Sequence, residues 1–140
     1  MKITICGSMV FAKEMLTAQK QLEKLGHEVI VPIDVLDCLK DPSLNESIEH
    51  CESYGDIDKD HFNKIADSDA VLVLNHSKNG LDGYIGGATL TELGVARHLD
   101  KKIFILHELP SENDLRYVLE VKIMKPIILN GDISKINDHT

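Results

Sequence analysis

A glycine-rich segment that ends in a carboxylate is the part of this sequence best suited to chemistry. Between Asn75 and Thr89 the chain holds four glycines, and Glu92 follows them in a helical pattern. Glycines let backbone N–H groups approach a ligand closely, because no Cβ stands in the way. A helix that begins near Thr89 would direct its positive end and its free N–H groups at the same place. This arrangement favours an anion or a polar sugar as ligand, with Glu92 placed to react with it.

Glu92 also has a purely structural interpretation. The segment Thr89-Leu-Thr-Glu92 matches a capping box, in which the glutamate side chain bonds the backbone N–H of the threonine. Capping boxes are a common signal at helix starts, so this segment alone leaves both roles open.

The composition describes one acidic domain. The chain has 140 residues, enough to bury a hydrophobic core without disulfides or metal. With 15 basic and 23 acidic residues its net charge is −8, which repels nucleic-acid backbones and anionic membranes. A single bound nucleotide is compatible with this charge, because helix N-termini and loop amides can hold a phosphate. No signal peptide or apolar membrane span is present, so we expect a soluble, cytoplasmic protein.

The three cysteines form neither a disulfide framework nor a familiar zinc pattern. Cys6, Cys38 and Cys51 are odd in number and share no short spacing. Cys38, His50 and Cys51 could be combined into a metal site, but structural zinc sites take four ligands at tighter spacings. Cys6 falls in an apolar strand and is expected to be a small core residue. The sequence therefore predicts no metal and no cofactor.

The hydrophobic pattern alternates strands with helices along the whole chain. Strands are predicted at residues 2–6, 27–32, 70–74, 102–106 and 126–129. Helices are predicted at 11–25, 58–66 and 89–99, with a further short helix that Ser111 would cap. The short joints predict parallel strands and right-handed crossovers, and the polar tail from Asn130 is expected to fray. The result is an α/β, flavodoxin-like, doubly wound sheet of five parallel strands in the order 2-1-3-4-5, packed as a three-layer sandwich.

Residues 33–55 are the least regular part of the pattern. They are acidic, carry scattered apolar positions, and are expected to hold a short helix near residues 43–51. An insertion after the second strand lies at the carboxyl end of the sheet, where open α/β folds bind their ligands. The segment is therefore either a lid over the ligand or surface padding.

The predicted strand order brings two glycine-bearing loops together. The first and third strands are neighbours at the switch point, so the loops that follow them meet in one crevice. Met9, Phe11 or Tyr84 could hold a flat base there, since polarisable and aromatic side chains stack well, although plain packing is the alternative. The predicted substrate-binding residues are Gly7, Ser8, Met9, Asn75, Tyr84, Gly86, Gly87 and Thr89.

Three short motifs accompany this arrangement. They are Cys6-Gly7-Ser8-Met9 after the first strand, Asp69-Ala-Val-Leu-Val before the glycine-rich loop, and Thr91-Glu92-Leu93-Gly94 on the following helix. Together they resemble the nucleoside 2-deoxyribosyltransferases and the related 2'-deoxynucleoside 5'-monophosphate N-glycosidases. The resemblance covers most of the chain and implies one such domain over residues 1–140.

The resemblance implies cleavage or transfer at the N-glycosidic bond of a nucleoside or nucleoside monophosphate. In the family, the glutamate that matches Glu92 attacks C1' of the sugar, and water or a second base resolves the glycosyl-enzyme intermediate. A close carboxylate suits this bond, because loss of the base leaves an oxocarbenium-like centre. The base leaves more easily when an acid protonates it. The resemblance also implies a homodimer.

Two positions depart from the family's pattern. His61 stands where the family has an aspartate. Asp60 directly precedes it, but a shift of one residue along a helix turns the side chain by about 100°, so Asp60 would point in a different direction. His61 could bind or protonate a leaving base, or be a polar residue on a wet helix face. Val10 stands where monophosphate-specific members have an arginine, although Lys13 lies one turn further on. The candidate catalytic residues are Glu92, His61 and Asp60.

A second resemblance gives the same class of reaction with a different substrate. Gly86-Gly87-Ala-Thr-Leu-Thr-Glu92 is similar to the Gly-Gly-x-Gly-Thr-x-x-Glu motif of the lysine-decarboxylase-like phosphoribohydrolases, with one glycine missing. Those proteins also remove a base from a nucleotide sugar. Their wider kin include non-catalytic nucleotide-sensing domains, so a binding or sensor domain is the alternative hypothesis.

Overall fold

A five-stranded parallel sheet forms the centre of the computed structural model, which describes all 140 residues. Its strands are β1 (Lys2–Cys6), β2 (Glu28–Ile30), β3 (Ala70–Val73), β4 (Lys102–Ile105) and β5 (Ile127–Ile128). They lie in the order β2-β1-β3-β4-β5, and every neighbouring pair is parallel. The predicted fold class and strand order are therefore confirmed.

Six α-helices and three 3₁₀ segments surround the sheet. The helices are α1 (Ala12–Lys24), α2 (Val35–Lys40), α3 (Ile48–Ser53), α4 (Ile57–Ala66), α5 (Gly87–His98) and α6 (Val118–Ile123). The 3₁₀ segments are Met9–Phe11, Pro42–Glu46 and Ile133–His139. None of the helices combines the length and the apolar character that crossing a membrane requires.

Helices cover both faces of the sheet, because successive strand residues point to opposite sides. Ile3, Ile5 and Leu72 belong to one core cluster, which the buried faces of α1 and α2 complete. Val71 and Val73 belong to a second cluster, formed with α4, α5 and α6. All four residues of β3 are buried, as expected for a central strand covered on both faces.

The structure corrects the prediction at two helices. The helix predicted to start at Ser111 begins only at Val118, and residues before it form turns in which the Ser111 hydroxyl accepts from the Asp114 backbone N–H at 3.3 Å. Helix α5 begins at Gly87, two residues before Thr89. At Ser111 the capping signal serves a turn instead of a helix, and at Thr89 the signal is not used, because the helix has already begun.

The polar tail was predicted to fray, and that prediction is wrong. Residues 133–139 form a 3₁₀ segment in which Ile136 is completely buried against the first core cluster. The Asp132 side chain accepts a hydrogen bond from the Ser134 backbone N–H at 3.0 Å and starts the segment. Ile133 also packs against this cluster, and Asn137 Oδ1 lies 2.7 Å from His27 Nε2, so a tail that looks polar overall is held in place.

Residues 33–55, which we name the cover segment, are more regular than expected. They contain α2, the Pro42–Glu46 turn and α3. The Asp41 and Ser47 side chains accept from backbone N–H groups of Ser43 and His50, so the 3₁₀ segment and α3 have capped starts. Val35 and Cys38 anchor the cover segment in the first core cluster.

Candidate active site

A cavity of about 430 Å³ opens beside the loops that follow β1 and β3. Its walls come from those two loops, from α4, from the start of α5 and from the cover segment. A second hollow of about 680 Å³ lies between α1 and residues 131–134. The carboxylates of that hollow, Glu14 and Asp132, are exposed, so it offers no buried acid to react with a ligand.

Most of the predicted site residues meet in the smaller cavity. Gly7, Ser8, Met9, Asp60, His61, Tyr84, Gly86, Gly87, Thr89 and Glu92 all line it. Residues of the cover segment, including Asp34, Asn45 and Glu46, line it as well. This position supports the lid interpretation of the cover segment over surface padding.

The carboxyl group of Glu92 meets the imidazole of His61 in this cavity. Glu92 Oε2 lies 3.4 Å from His61 Nε2, and the two side chains are 15% and 7% exposed. The Cys6 Sγ lies 3.5 Å from the same His61 nitrogen. The three groups come from β1, α4 and α5, so adjacent helices on one face of the sheet bring the pair together.

The start of α5 explains why Glu92 points to His61 and not back to Thr89. Gly86 is the residue before the helix, with an extended ψ of 173°, and no side chain caps the start. Thr89 is therefore already inside the first turn and is buried. A Cβ on Gly86 would lie 3.2 Å from Tyr84 Oη, so glycine lets the ring pack against the helix start. The capping-box interpretation of Glu92 is wrong, because the helix starts three residues earlier than a box requires.

Burial shifts the acid and the base of this pair in opposite directions. Desolvation raises the pKa of Glu92 to about 8. Desolvation, helped by the nearby Lys64 charge, lowers the pKa of His61 to about 4. At neutral pH the contact is therefore a carboxylic acid beside a neutral imidazole and not an ion pair. Burial also raises the pKa of Cys6, which keeps its thiol protonated.

Lys78 is a site residue that the sequence analysis missed. Its Nζ donates to Ser8 Oγ at 3.1 Å and lies 4.9 Å from the centre of the Tyr84 ring. It is the only lysine or arginine among the residues that line the cavity. Lys13, suggested as a substitute for the family's arginine, lines the other hollow instead. The available signal was the position of Lys78 inside the glycine-rich segment itself.

Asn75 and Phe11 do not line the cavity, although the sequence suggested that they would meet the ligand. Asn75 is completely buried; its Oδ1 accepts from the His107 backbone N–H at 2.8 Å, and its Nδ2 donates to the His107 carbonyl at 3.0 Å. Phe11 is 5% exposed and packs edge-on against His76. Asn75 thus joins the loops after β3 and β4. Phe11 is a packing residue and does not line the cavity where a base could stack.

Asp60 lines the cavity, but a neighbour partly neutralises it. Lys64 Nζ lies 2.9 Å from Asp60 Oδ2 one helical turn away, at angles outside those of a hydrogen bond. The Asp60 side chain is 39% exposed, whereas His61 is buried against Glu92. Of the two candidates on α4, His61 is the one in contact with the carboxyl group.

Comparison with known proteins identifies the class of fold. No family model matches the sequence, and no curated protein matches it. The 2-deoxyribosyltransferase of the psychrotolerant bacterium Bacillus psychrosaccharolyticus aligns with 100% of this chain and 93% of its own, with a TM-score of 0.64 and 18% identity. The CMP N-glycosidase BcmB of Clostridium botulinum aligns over 100% of both chains, with a TM-score of 0.54 and 17% identity.

At this level of identity the comparisons show a shared fold. Both solved structures come from the kinds of enzyme that the sequence motifs resemble, and both have the α/β fold described above. The chain is therefore a flavodoxin-like domain of the architecture found in 2-deoxyribosyltransferases, with a buried carboxyl–imidazole pair in its cavity.

Substitution of Glu92 by glutamine should remove a pH dependence of stability. The pKa of Glu92 in the folded protein, about 8, is above its ordinary 4.5. The contribution of the protonated side chain to the stability of the fold is therefore fully present below pH 4.5 and is lost as the pH rises toward 8. The free energy of unfolding of Glu92→Gln should therefore rise relative to that of wild type by about 1.4 kcal/mol per pH unit between pH 5 and 8. Urea unfolding across this range measures the difference.

Glu120→Gln, an exposed position on α6, is the control for that comparison. It should follow the wild-type curve at every pH. Parallel curves for wild type and Glu92→Gln would show that the Glu92 carboxyl group ionises as freely in the folded chain as in the unfolded one.

Proposed function

We propose that this protein cleaves the N-glycosidic bond of a nucleotide, with Glu92 as the nucleophile. The contact between the Glu92 carboxyl group and His61, in a cavity edged by two glycine-bearing loops, is the observation that supports it. The fold neighbours are named for deoxyribosyl transfer and for N-glycosidase action on CMP, which supports chemistry at an N-glycosidic bond in general.

One proton transfer gives both reactive groups of the proposed mechanism. Moving the Glu92 proton to His61 Nε2 converts the neutral pair into a carboxylate and an imidazolium. The separation of 3.4 Å is long for a hydrogen bond, and such contacts commonly shorten when substrate binds. The carboxylate then attacks C1' as the bond to the base breaks, and the imidazolium gives its proton to the departing base.

The second half of the reaction restores the pair. His61, now neutral, accepts a proton from a water molecule whose oxygen attacks C1'. The bond between C1' and Glu92 breaks, and the carboxylate leaves as the free sugar forms. His61 then returns the proton to Glu92, so the net change is addition of one water across the N-glycosidic bond. In a transfer reaction a second base takes the place of water.

Loss of the nucleophile should abolish release of the base. We expect wild type to release free base from at least one member of a panel of ribo- and deoxyribonucleosides and their 5'-monophosphates, followed by chromatography. Glu92→Gln should lower the rate by about 10³-fold or more, and His61→Asn by about 10²-fold or more. Glu120→Gln should retain the wild-type rate. Equal rates for Glu92→Gln and wild type would reject the mechanism, and no release from any substrate would reject the function.

We further propose that the substrate carries a 5'-phosphate. Lys78 and Ser8 place an ammonium and a hydroxyl together in the cavity, and Gly86, Gly87 and Ala88 add the N-terminal end of α5. A helix start and a lysine are both favourable partners for a phosphate. Besides the protonated Glu92, the cavity is lined by the carboxylates of Asp34, Glu46, Asp58 and Asp60, which repel an anion, so a bound phosphate depends on the Lys78 charge.

Removal of the Lys78 charge should affect only substrates that carry the phosphate. Hydrogen bonds to charged groups contribute roughly 1.5–3 kcal/mol, so Lys78→Met should raise KM for a monophosphate by about 10- to 100-fold. KM for the matching nucleoside should stay the same, and Lys13→Met, in the larger hollow, should change neither. An equal rise for nucleoside and monophosphate would place the phosphate elsewhere.

The alternative is a domain that binds a nucleotide without turning it over. One observation favours it: with Glu92 protonated and His61 neutral, the free protein presents no carboxylate nucleophile at pH 7. Calorimetry combined with chromatography of the recovered ligand separates the two functions. Tight binding with intact ligand supports the sensor, whereas released base supports the enzyme.

We also propose that the protein is a homodimer, as the family resemblance implies. The cover segment carries four exposed apolar side chains, Ile33, Leu36, Leu39 and Ile48, and a second subunit would remove them from water. Light scattering should give twice the mass of one chain at assay concentration. A monomeric mass would remove this part of the proposal.

A further inference from the structure

A second cluster of reactive side chains lies in the cover segment, outside the Glu92–His61 pair. Asp34 directly precedes α2, Cys38 lies on α2 and His50 lies on α3. His50 Nε2 and Cys38 Sγ lie 2.9 and 3.5 Å from Asp34 Oδ2, and 4.0 Å from each other. Asp34 and Cys38 are 4% and 2% exposed, and the His50 side chain is 8% exposed.

We propose that Asp34, Cys38 and His50 bind a transition-metal ion of the Zn²⁺ class. Zinc takes oxygen and nitrogen ligands at about 2.0 Å and sulfur at about 2.3 Å, so tetrahedral geometry separates such ligand atoms by about 3.3–3.6 Å. The observed oxygen–sulfur separation of 3.5 Å falls in this range, the oxygen–nitrogen separation of 2.9 Å is shorter, and the sulfur–nitrogen separation of 4.0 Å is longer. Small side-chain rotations bring all three atoms to one ion, and the fourth position is left to water.

The donor atoms select the kind of metal. A carboxylate oxygen, a thiolate sulfur and an imidazole nitrogen are the ligands of zinc and its transition-metal neighbours, whereas calcium and magnesium require oxygen ligands. The carboxylate and the thiolate together balance the double charge of the ion. The Cys38 thiol loses its proton to solvent when the sulfur–metal bond forms, and His50 binds through Nε2 as the neutral tautomer that carries its proton on Nδ1.

The helices that carry these ligands are already held in place. Asp34 and Cys38 are four residues apart, so their side chains lie on one face at the start of α2. Tyr54 packs edge-on against His50 with ring centres 5.2 Å apart, and its hydroxyl donates to the Asp37 carboxylate on α2. The His50 ring therefore has a fixed orientation before any ion arrives, which favours binding.

The position of the cluster gives a metal ion a structural consequence. Asp34 also lines the 430 Å³ cavity that contains Glu92, which we call the Glu92 cavity, while Cys38 belongs to the first core cluster. An ion shared by α2 and α3 would fix the cover segment over that cavity. The inference does not depend on the proposed reaction, because it concerns the ligands and the two short helices only.

Cys51 and Glu92 provide matched controls. Cys51 lies on α3 next to His50 and lines the Glu92 cavity, but it is outside the Asp34 cluster. Glu92 forms the other group of metal-binding atoms, with Cys6 and His61. Substitution of either residue therefore tests whether an ion occupies a different set of ligands.

Cobalt(II) titration of the wild-type chain tests the proposal. We expect one equivalent of Co²⁺ to give a thiolate-to-cobalt charge-transfer absorption and the visible bands of tetrahedral cobalt, both removed by Zn²⁺. Cys38→Ser should lose the charge-transfer absorption, and Cys38→Ser and Asp34→Asn should each weaken Zn²⁺ binding by about 100-fold or more. Cys51→Ser and Glu92→Gln should bind both ions like wild type.

Two results would overturn the assignment. Absence of the cobalt absorption in wild type, which does not depend on the folding of any variant, would exclude a thiolate-bound metal. Retention of the absorption in Cys38→Ser, with its loss in Cys51→Ser or Glu92→Gln, would move the ion to other ligands. Since neither result involves turnover, the test is separate from the test of the glycosidase.

Discussion

Burial of the Glu92 carboxyl group beside His61 is the physical constraint on which the candidate site depends. Charging either group inside the protein costs free energy, so the acid keeps its proton and the base stays neutral. The fold can hold the pair without a counter-ion for that reason. The same burial places a protonated acid beside a neutral base and shifts their pKa values in opposite directions, which is an arrangement that acid–base chemistry uses.

The parallel sheet is what brings this pair together. Strands β1 and β3 are hydrogen-bonded neighbours, so the loops after them open into one cavity. The helices α4 and α5 pack on the same face of the sheet and supply His61 and Glu92. Because α5 begins directly after Gly86, Glu92 lies in the second turn of the helix and faces His61. A shift of the helix start by a residue would rotate the carboxyl group away by about 100°.

The cover segment connects the two groups of reactive residues in this chain. Its Asp34 lines the Glu92 cavity and also accepts hydrogen bonds from His50 and Cys38. Short helices of six residues have little stability of their own, so α2 and α3 depend on such side-chain contacts for their position. A change at the Asp34 cluster therefore reaches a wall of the cavity, even though the helix that carries Glu92 packs in the other core cluster.

The sequence by itself determined the sheet, its strand order and the glycine-bearing loops, because hydrophobic periodicity and the handedness of crossovers act locally along the chain. It predicted by position that Glu92, Ser8 and Tyr84 meet in one crevice, and all three line the same cavity. Tertiary structure alone decided the capping of α5, the burial of Ile136, the role of Asn75 and the meeting of Lys78 with Ser8. Contacts between residues far apart in the chain leave no periodic pattern in a sequence, and neither does the desolvation that they produce. The protonation of Glu92 depends on that desolvation, and the grouping of Asp34 with Cys38 and His50 depends on those contacts.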